Sequence, residues 1–415
     1  MGFLKNIAAK TISRGVAFCD RLLAGRLETL REDHWHAIYH RLLDLNQELF
    51  ERRAGRPFDV SRFLSENGIR RLATEVSAET FAFTLRGFRE LCENIDFFPV
   101  TRTEKGFSAD GFLFWGIPVT QQSLLAVRMT RKPVLFVEGG LLCSVAMPPD
   151  ATVPLKYRYC TSFLIDDISI YYNAGAPSRL EMLLDSDLEM TAEQRMRARK
   201  LIDRIVENNL SKYNHQPIVT PEYGAKNKPK VLVLDQRYGD QSILLGCADE
   251  STFQRMLEAA VEENPEADIL VKTHPHSKVD QSRRVKTGYY AHLAPRGNII
   301  PVREPINAIS LIRYVDKLYV ATSQFGYEAL LCGKEVHVFG YPFYAGWGLT
   351  RDRLCSPRRT KKRSLEELFY ITNILYAGYV NPETRKACEM EEIIDYLLEM
   401  RARFFEEFGV PHPIH

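Results

Sequence analysis

A chain of 415 residues, 45% hydrophobic and 26% charged, is too long for one small core and too evenly balanced for a disordered protein, so two or three globular domains are expected. Its 55 basic and 53 acidic residues leave a net charge of +2, which excludes a strong whole-molecule attraction to nucleic acid.

The amino terminus, MGFLKNIAAKTISRGVAF, carries Lys10 and Arg14 where a signal peptide needs an unbroken apolar core. Phe3, Leu4, Ile7, Ala8 and Ile12 fall near one helical face, so this segment either packs on the protein body or lies on a membrane surface. No apolar run approaches the roughly 20 residues that span a bilayer. Residues 1–92 read as a helical extension, because HWHAIYHRLLDLNQELFERRAG and SAETFAFTLRGFRELCEN repeat apolar residues at three- and four-residue spacing.

From residue 93 the rhythm changes to short apolar strands at Phe97–Val100, Gly111–Trp115, Pro133–Val137 and Ser162–Ile165. They define a first α/β lobe over 93–220, which ends in a charged helical stretch from Gly175 to Asn214. PEYGAKNKPK, at 221–230, has the Pro, Gly and Lys content of a linker. A second lobe over 221–382 alternates more clearly, with strands at Lys230–Leu234, Asp268–Lys272, Asn298–Val302, Lys317–Ala321 and Glu335–Phe339. Between them, Thr252–Glu263 places Phe253, Met256, Leu257, Ala260 and Val261 on one helical face. Residues 383–415 hold a last helix, Met390–Phe408, expected to cross back to the first lobe. The fold class is therefore α/β: two Rossmann-like lobes, with a ligand in the cleft beyond the carboxyl ends of their strands.

Eight cysteines, Cys19, Cys92, Cys143, Cys160, Cys247, Cys332, Cys355 and Cys388, are scattered without a CxxC pair or zinc-ligand spacing. Most sit in apolar surroundings such as Leu330-Leu331-Cys332, which suits buried thiols in a reducing compartment.

The chemistry concentrates where strands end. VLDQRYGDQSILLG breaks from an apolar strand into Asp235, Gln236, Arg237, Gly239, Asp240 and Ser242. Glu138-Gly139-Gly140, Asp166-Asp167, His274-Pro275-His276 and Thr322-Ser323-Gln324 follow other strands, with Gly326 inside the helix after the last. One polar strand end is a solvated turn, whereas five reaching one cleft make a site. Thr322 and Ser323 before FGYEALLCG offer hydroxyls and N–H groups at a helix start, either a phosphate seat or a plain N-cap. His274 can donate to a phosphate or leaving oxygen. Glu138 suits acid/base work, with Gly139 and Gly140 permitting close backbone approach. Asp240 can serve as nucleophile or base. A lone Asp166-Asp167 pair in a turn does not define a metal site, and neither a P-loop nor a GxGxxG fingerprint is present. A phosphorylated ligand held by dipoles, hydroxyls and histidine, without metal or other cofactor, is expected.

These segments resemble the KpsC-type β-Kdo glycosyltransferases of bacterial capsule synthesis. The resemblance runs through FLFWGIPVTQQSLLAVRMTRKPVLFVEGGLLCSV, IDDISIYYNAGAPSRLEMLL, VLDQRYGDQSILLGCADESTFQRML, NPEADILVKTHPH and YVATSQFGYEALLCGKEVHVFGYPFYAGWGLTRDR. It ends in RRTKKRSLEELFYITNILYAGYVNPET and covers roughly residues 110 to 400 in order. It implies a GT-B fold, CMP-β-Kdo as donor, and Kdo transfer with retention to a glycolipid or capsule polysaccharide. Full-length members carry two modules in tandem; this chain has room for one and looks closest to the second. Gly139 stands where the family pattern has Asp, and Asn173 stands where Asp is common, changes expected to bear on acceptor choice. His274-Pro275 and Thr322-Ser323 also resemble the HP and Ser/Thr motifs of bacterial sialyltransferases, which use related donors.

What the resemblance implies can be placed residue by residue. CMP lies in the second lobe, its phosphate at Thr322, Ser323 and His274, with Pro275, Gln236, Ser242, Gly326 and Glu328 completing the donor side. Asp240 is the nucleophile, its carboxylate held by Gln236 and Ser242, with Asp167 as rival. Asp235 is structural, and Glu138 across the cleft is the acid/base. Lys272 and Arg237 are candidates for the Kdo carboxylate. A cytoplasmic place at the inner face of the inner membrane follows, with capsule assembly proteins as partners and no nucleic acid. Two alternatives stay open: another CMP-ulosonic acid transferase of sialyltransferase type, or a non-catalytic capsule assembly scaffold.

Overall fold

The structure, a computed structural model, describes residues 29–56, 58–75, 86–92, 95–99, 108–118, 120–148, 150, 152–273 and 288–409. The amino-terminal amphipathic segment and the His274-Pro275-His276 turn lie outside the described residues. In the first half the order is α1 (Thr29–Arg53), α2 (Val60–Glu66), β1 (Arg71–Thr74), α3 (Arg86–Leu91), β2 (Asp96–Pro99) and β3 (Gly111–Trp115). Next come α4 (Gln121–Thr130), β4 (Val134–Gly139), β5 (Ser162–Asp166), α5 (Arg179–Leu184) and α6 (Ala192–Glu207). The second half begins with β6 (Lys230–Leu234), α7 (Gln241–Leu245), α8 (Glu250–Glu262), β7 (Asp268–Lys272), β8 (Ile299–Val302) and α9 (Ala308–Tyr314). It continues with β9 (Lys317–Val320), α10 (Gln324–Leu331), β10 (Glu335–Val338) and β11 (Arg351–Asp352). The chain closes with α11 (Leu365–Tyr370), a π-helical turn (Ile371–Tyr376), β12 (Ala377–Asn381), β13 (Lys386–Ala387) and α12 (Met390–Phe408).

The first sheet has the order β13-β12-β5-β4-β3-β1-β2. Strands β2, β1, β3 and β4 are parallel, while β5 runs antiparallel to β4 and β12 antiparallel to β5. Two expected domain limits shift as a result. β1 belongs to this sheet although it falls within the expected helical extension; Leu72 and Ala73 are fully buried, but a four-residue strand is too short to display a period. β12 likewise rejoins the first lobe ahead of the last helix, with Tyr379 and Val380 in the core. α1 covers one side: Ile38, Leu42, Leu45 and Leu49 recur at helical spacing, and all four are buried.

The second sheet is wholly parallel in the order β11-β10-β9-β6-β7-β8. Its strands read as continuous apolar runs because helices cover both faces. The order reverses between β6 and β9, and loops leaving two such strands diverge to opposite faces and open a crevice.

The connection is firm. α6 starts in a Thr191–Gln194 capping box and buries Ala198, Leu201, Ile202 and Ile205. Arg195 pairs with Glu367 of α11, Arg197 with Glu391 of α12, and Arg204 with Asp395 of α12. One apolar cluster includes Leu164 of the first sheet, Leu201, Leu232 and Leu318 of the second sheet, Leu368 and Ile393. That shared core outweighs the exposed ion pairs, each worth about 0–1 kcal/mol. Two Rossmann-like lobes across a cleft, with the chain end returning to the first, make the GT-B arrangement that the resemblance implies. Among the described residues no helix is long and apolar enough to cross a membrane.

Candidate active site

Between the lobes lies a cavity of about 770 Å³, lined by Trp115, Glu138, Tyr171, Tyr172, Lys212 and His215 on one side. Gln236, Asp240, Ser242, Thr322, Ser323 and Glu328 line it from the second lobe. The ends of β4, β6, β7 and β9 therefore meet there; the end of β5 does not.

Glu138 is delivered by the buried run of β4. Its Oε1 accepts the Gly139 N–H at 3.0 Å. Burial pushes its carboxyl above the usual range, the Lys212 ammonium and the Gly139 N–H pull it down, and the charge of Asp240 adds to the rise. Gly140 has an internal reason: a Cβ there would stand 2.1 Å from Ser162 Oγ, so its close approach is to β5. Gly139 is looser. Its missing Cβ would touch the Cys143 and Cys160 thiols at 3.4 and 3.6 Å.

Beyond β6, the Asp235 Oδ1 accepts the Gln236 and Tyr289 N–H groups, bonds that tie the loop together, while the residue also lines the cavity. The bonds to the Asp240 carboxylate come from Ser242, and Gln236 bonds Thr322. Its side chain receives the Thr322 N–H and donates to Thr322 Oγ1, both at 3.0 Å, so it ties β6 to β9. Gly239 turns the loop at φ 74°, a conformation other residues rarely adopt. Asp240 then caps α7: its Oδ1 accepts the Ser242 N–H at 2.9 Å and the Ser242 hydroxyl at 2.7 Å. It is exposed to the cavity.

Beyond β9, Ser323 caps α10 and accepts the Phe325 N–H at 3.3 Å. Thr322 does not offer its N–H to a ligand, because Gln236 already holds it. Gly326 is a packing residue: a Cβ there would stand 2.3 Å from Tyr344 Oη, whose hydroxyl donates to Ser323 O at 2.5 Å. Glu328 accepts the Lys212 N–H at 3.2 Å, and burial raises its carboxyl to about 7.

Asp167 is not in the cleft. Because β5 runs antiparallel to β4, Asp166 pairs beside Phe136 while Leu164 pairs beside Glu138, so the turn after β5 points to the other end of the sheet. There Asp167 is fully buried between Arg53 Nε and Arg179 Nε, each at 2.6 Å, and borders a separate cavity with Arg52 and Arg56. Asp166 accepts the N–H groups of Ile168, Ser169 and Arg179 and the Tyr376 hydroxyl. Both carboxylates are consumed in joining α1, α5 and the first sheet. Asn173 is also internal, donating to Asn46 Oδ1 and Ser169 Oγ at 3.1 Å.

Of the two candidate cations, Lys272 is committed to the carbonyls of Thr273 and Glu304, and burial lowers its pKa to about 8. Arg237 is exposed at the rim. The cation missed from sequence is Lys212, in the LSKYNHQ loop that joins the lobes. Burial works against its charge, but Tyr213, Tyr171, Glu138 and Cys143 outweigh that and hold its pKa above the ordinary lysine value. Nothing in the spacing of this loop marks it, since it follows a helix instead of a strand. Among the described residues no cluster of three or more His, Cys, Asp or Glu is arranged to hold a metal ion.

A family described as capsule polysaccharide biosynthesis protein matches residues 125–383. The chain is 37% identical over 329 residues to the capsule polysaccharide modification protein LipA of Neisseria meningitidis serogroup A, covering 77% of this chain but 45% of that protein. It is 34% identical to the lipopolysaccharide-processing protein LpsZ of Rhizobium meliloti, over 74% of this chain and 67% of LpsZ. Thus the chain spans about half the length of the LipA relative. Among solved structures, the β-Kdo 2,4 transferase of Thermosulfurimonas dismutans KpsC superposes with a TM-score of 0.69 at 34% identity, over 79% of this chain and 98% of that one. The β-Kdo 2,7 transferase of the same KpsC gives 0.56 at 25%, over 80% and 99%. With a two-lobed GT-B fold and a cleft formed by the motif-bearing strand ends, the chain belongs to the capsule polysaccharide biosynthesis protein family.

Proposed function

We propose that this chain is a retaining glycosyltransferase that moves Kdo from CMP-β-Kdo to a glycolipid or capsule polysaccharide acceptor. The observation that carries the reading is that Glu138 of the first lobe and Asp240 of the second line one cavity, in a chain that matches a β-Kdo 2,4 transferase over 79% of its own length and 98% of that enzyme's. The greater similarity to the 2,4 than to the 2,7 enzyme favours a 2,4 linkage.

In this reading Asp240 attacks the anomeric carbon as the bond to the CMP phosphate breaks, and CMP leaves with the electron pair. Ser242 keeps the carboxylate aimed. In the second step the acceptor oxygen displaces Asp240 from the same carbon while Glu138 takes its proton; two inversions give retention. A carboxyl raised above its usual range is the stronger base once ionised. The CMP phosphate lies near Ser323 and the start of α10, with His274 as a donor, and no divalent metal takes part. Association with the inner face of the membrane belongs to the same proposal, since the acceptor is a lipid-linked glycan.

The test is incubation with CMP-Kdo and a Kdo-terminated glycolipid, read by mass spectrometry and NMR of the product. A β-2,4-linked Kdo is expected. Release of CMP with no transferred sugar, or turnover of CMP-sialic acid in preference, would replace this reading.

A further inference from the structure

We propose that Lys212 receives the carboxylate of the donor sugar and thereby selects ulosonic acids over neutral sugars. The inference rests on the donor reading above and adds a recognition residue to it.

The cavity walls carry four carboxyl groups, Asp235, Glu138, Asp240 and Glu328. A CMP-ulosonic acid brings two further negative groups, the phosphodiester and a carboxylate bonded to the anomeric carbon. That carboxylate arrives within two bonds of the atom Asp240 attacks, so a fixed cation is needed beside Asp240 and Glu138. Lys272 has its ammonium spent on two carbonyls, and Arg237 stands exposed at the rim. Lys212 lines the cavity, and the contact recorded for its Nζ is a loose one, 5.9 Å from the centre of the Tyr213 ring. A half-buried ammonium that meets a ring face but no paired anion is costly unless a ligand supplies one.

Its backbone, in contrast, is fixed from three sides. The Lys212 carbonyl accepts the N–H groups of Cys143 and Ser144 at 3.1 and 3.2 Å, just beyond the Glu138 strand. Its N–H donates to Glu328 of the second lobe. Ser211 and Asn214 on either side close the loop, Ser211 N–H donating to Asn214 Oδ1 at 2.9 Å and Asn214 Nδ2 donating to Ser144 O at 3.0 Å. An anchored backbone under an uncommitted side chain is the form expected of a preorganised recognition residue. A neutral hexose would leave this ammonium unpaired, so discrimination comes from the missing partner.

Equilibrium binding is measured in an Asp240→Asn background, which removes turnover, using CMP-Kdo and CMP as separate ligands. Adding Lys212→Met should weaken CMP-Kdo about 10- to 100-fold, the range for one charge-assisted hydrogen bond, and leave CMP within about threefold. Lys212→Arg should restore most of the loss. An equal loss for CMP and CMP-Kdo would assign Lys212 to the phosphate or to the fold. Unchanged CMP-Kdo affinity with a shifted pH profile of transfer would make it a tuner of Glu138. Either result overturns the inference. Failure of the unmodified chain to release CMP from CMP-Kdo removes the donor reading itself, and this inference with it.

Discussion

Gln236 and Thr322 grip each other across the point where the second sheet reverses its strand order, with the Thr322 N–H on Gln236 Oε1 and the Gln236 amide on Thr322 Oγ1, both at 3.0 Å. Both are buried, so cutting one partner leaves the other unsatisfied. Thr322→Val should lower stability by about 1–3 kcal/mol, while Thr322→Ser should cost much less. Urea denaturation midpoints of the two variants give the comparison; equal midpoints would show that the hydroxyl adds nothing.

Asp240 caps α7, and the proposed mechanism gives it a second role that one substitution separates. Asn caps a helix about as well as Asp, so Asp240→Asn should leave the melting temperature nearly unchanged. Loss of the nucleophile should lower kcat on the order of 10³-fold or more. Wild-type enzyme quenched during turnover should carry one Kdo on the peptide spanning Gln236 to Gly246. An adduct elsewhere, or near-normal turnover by Asp240→Asn, leaves Asp240 a cap only.

Glu138 should govern the acid limb of the transfer rate. Burial favours its protonated form, and a base must be ionised, so the rate is expected to fall as pH drops through a value above the ordinary glutamate range. Lys212→Met removes an attraction that opposes this rise, and the limb should move to still higher pH. Rate–pH profiles of the two enzymes at saturating donor decide it, and Glu138→Gln should abolish the limb together with most activity.

Asp167 should matter to folding and not to chemistry. Asp167→Asn leaves Arg53 and Arg179 without their shared counter-charge in a buried site, at a cost of about 3–5 kcal/mol. Specific activity per folded molecule should remain close to wild type at low temperature. A folded, inactive variant would return Asp167 to the mechanism.

Transfer should continue in excess EDTA. In the proposed mechanism, Lys212 and the start of α10 supply the fixed positive potential that an anionic donor needs. Activity lost to chelation and regained with magnesium or manganese contradicts this expectation.

Much of the architecture was legible along the chain. Gly111–Trp115, Lys230–Leu234, Asp268–Lys272 and the helix Met390–Phe408 appear with the expected limits, because buried parallel strands and amphipathic helices write their burial into local pattern. The polar ends of β4, β6, β7 and β9 were also readable, since an apolar run that stops at charged and small residues is a local event. Which of those ends share a cleft was not. Asp166-Asp167 looked equivalent to the others until the antiparallel pairing of β5 with β4 turned it away, and strand direction depends on partners far along the chain. Gln236 looked like a neighbour of Asp240, yet it bonds a threonine 86 residues later. Lys212 carried no signal at all: its position beside Glu138 arises only when the loop between lobes is stitched to the segment after β4 and to Glu328 of α10. Residue types and periodicity thus determined the lobes and the kinds of chemistry at hand; long-range pairing decided which side chains face one another, because that geometry is a property of contacts and not of spacing.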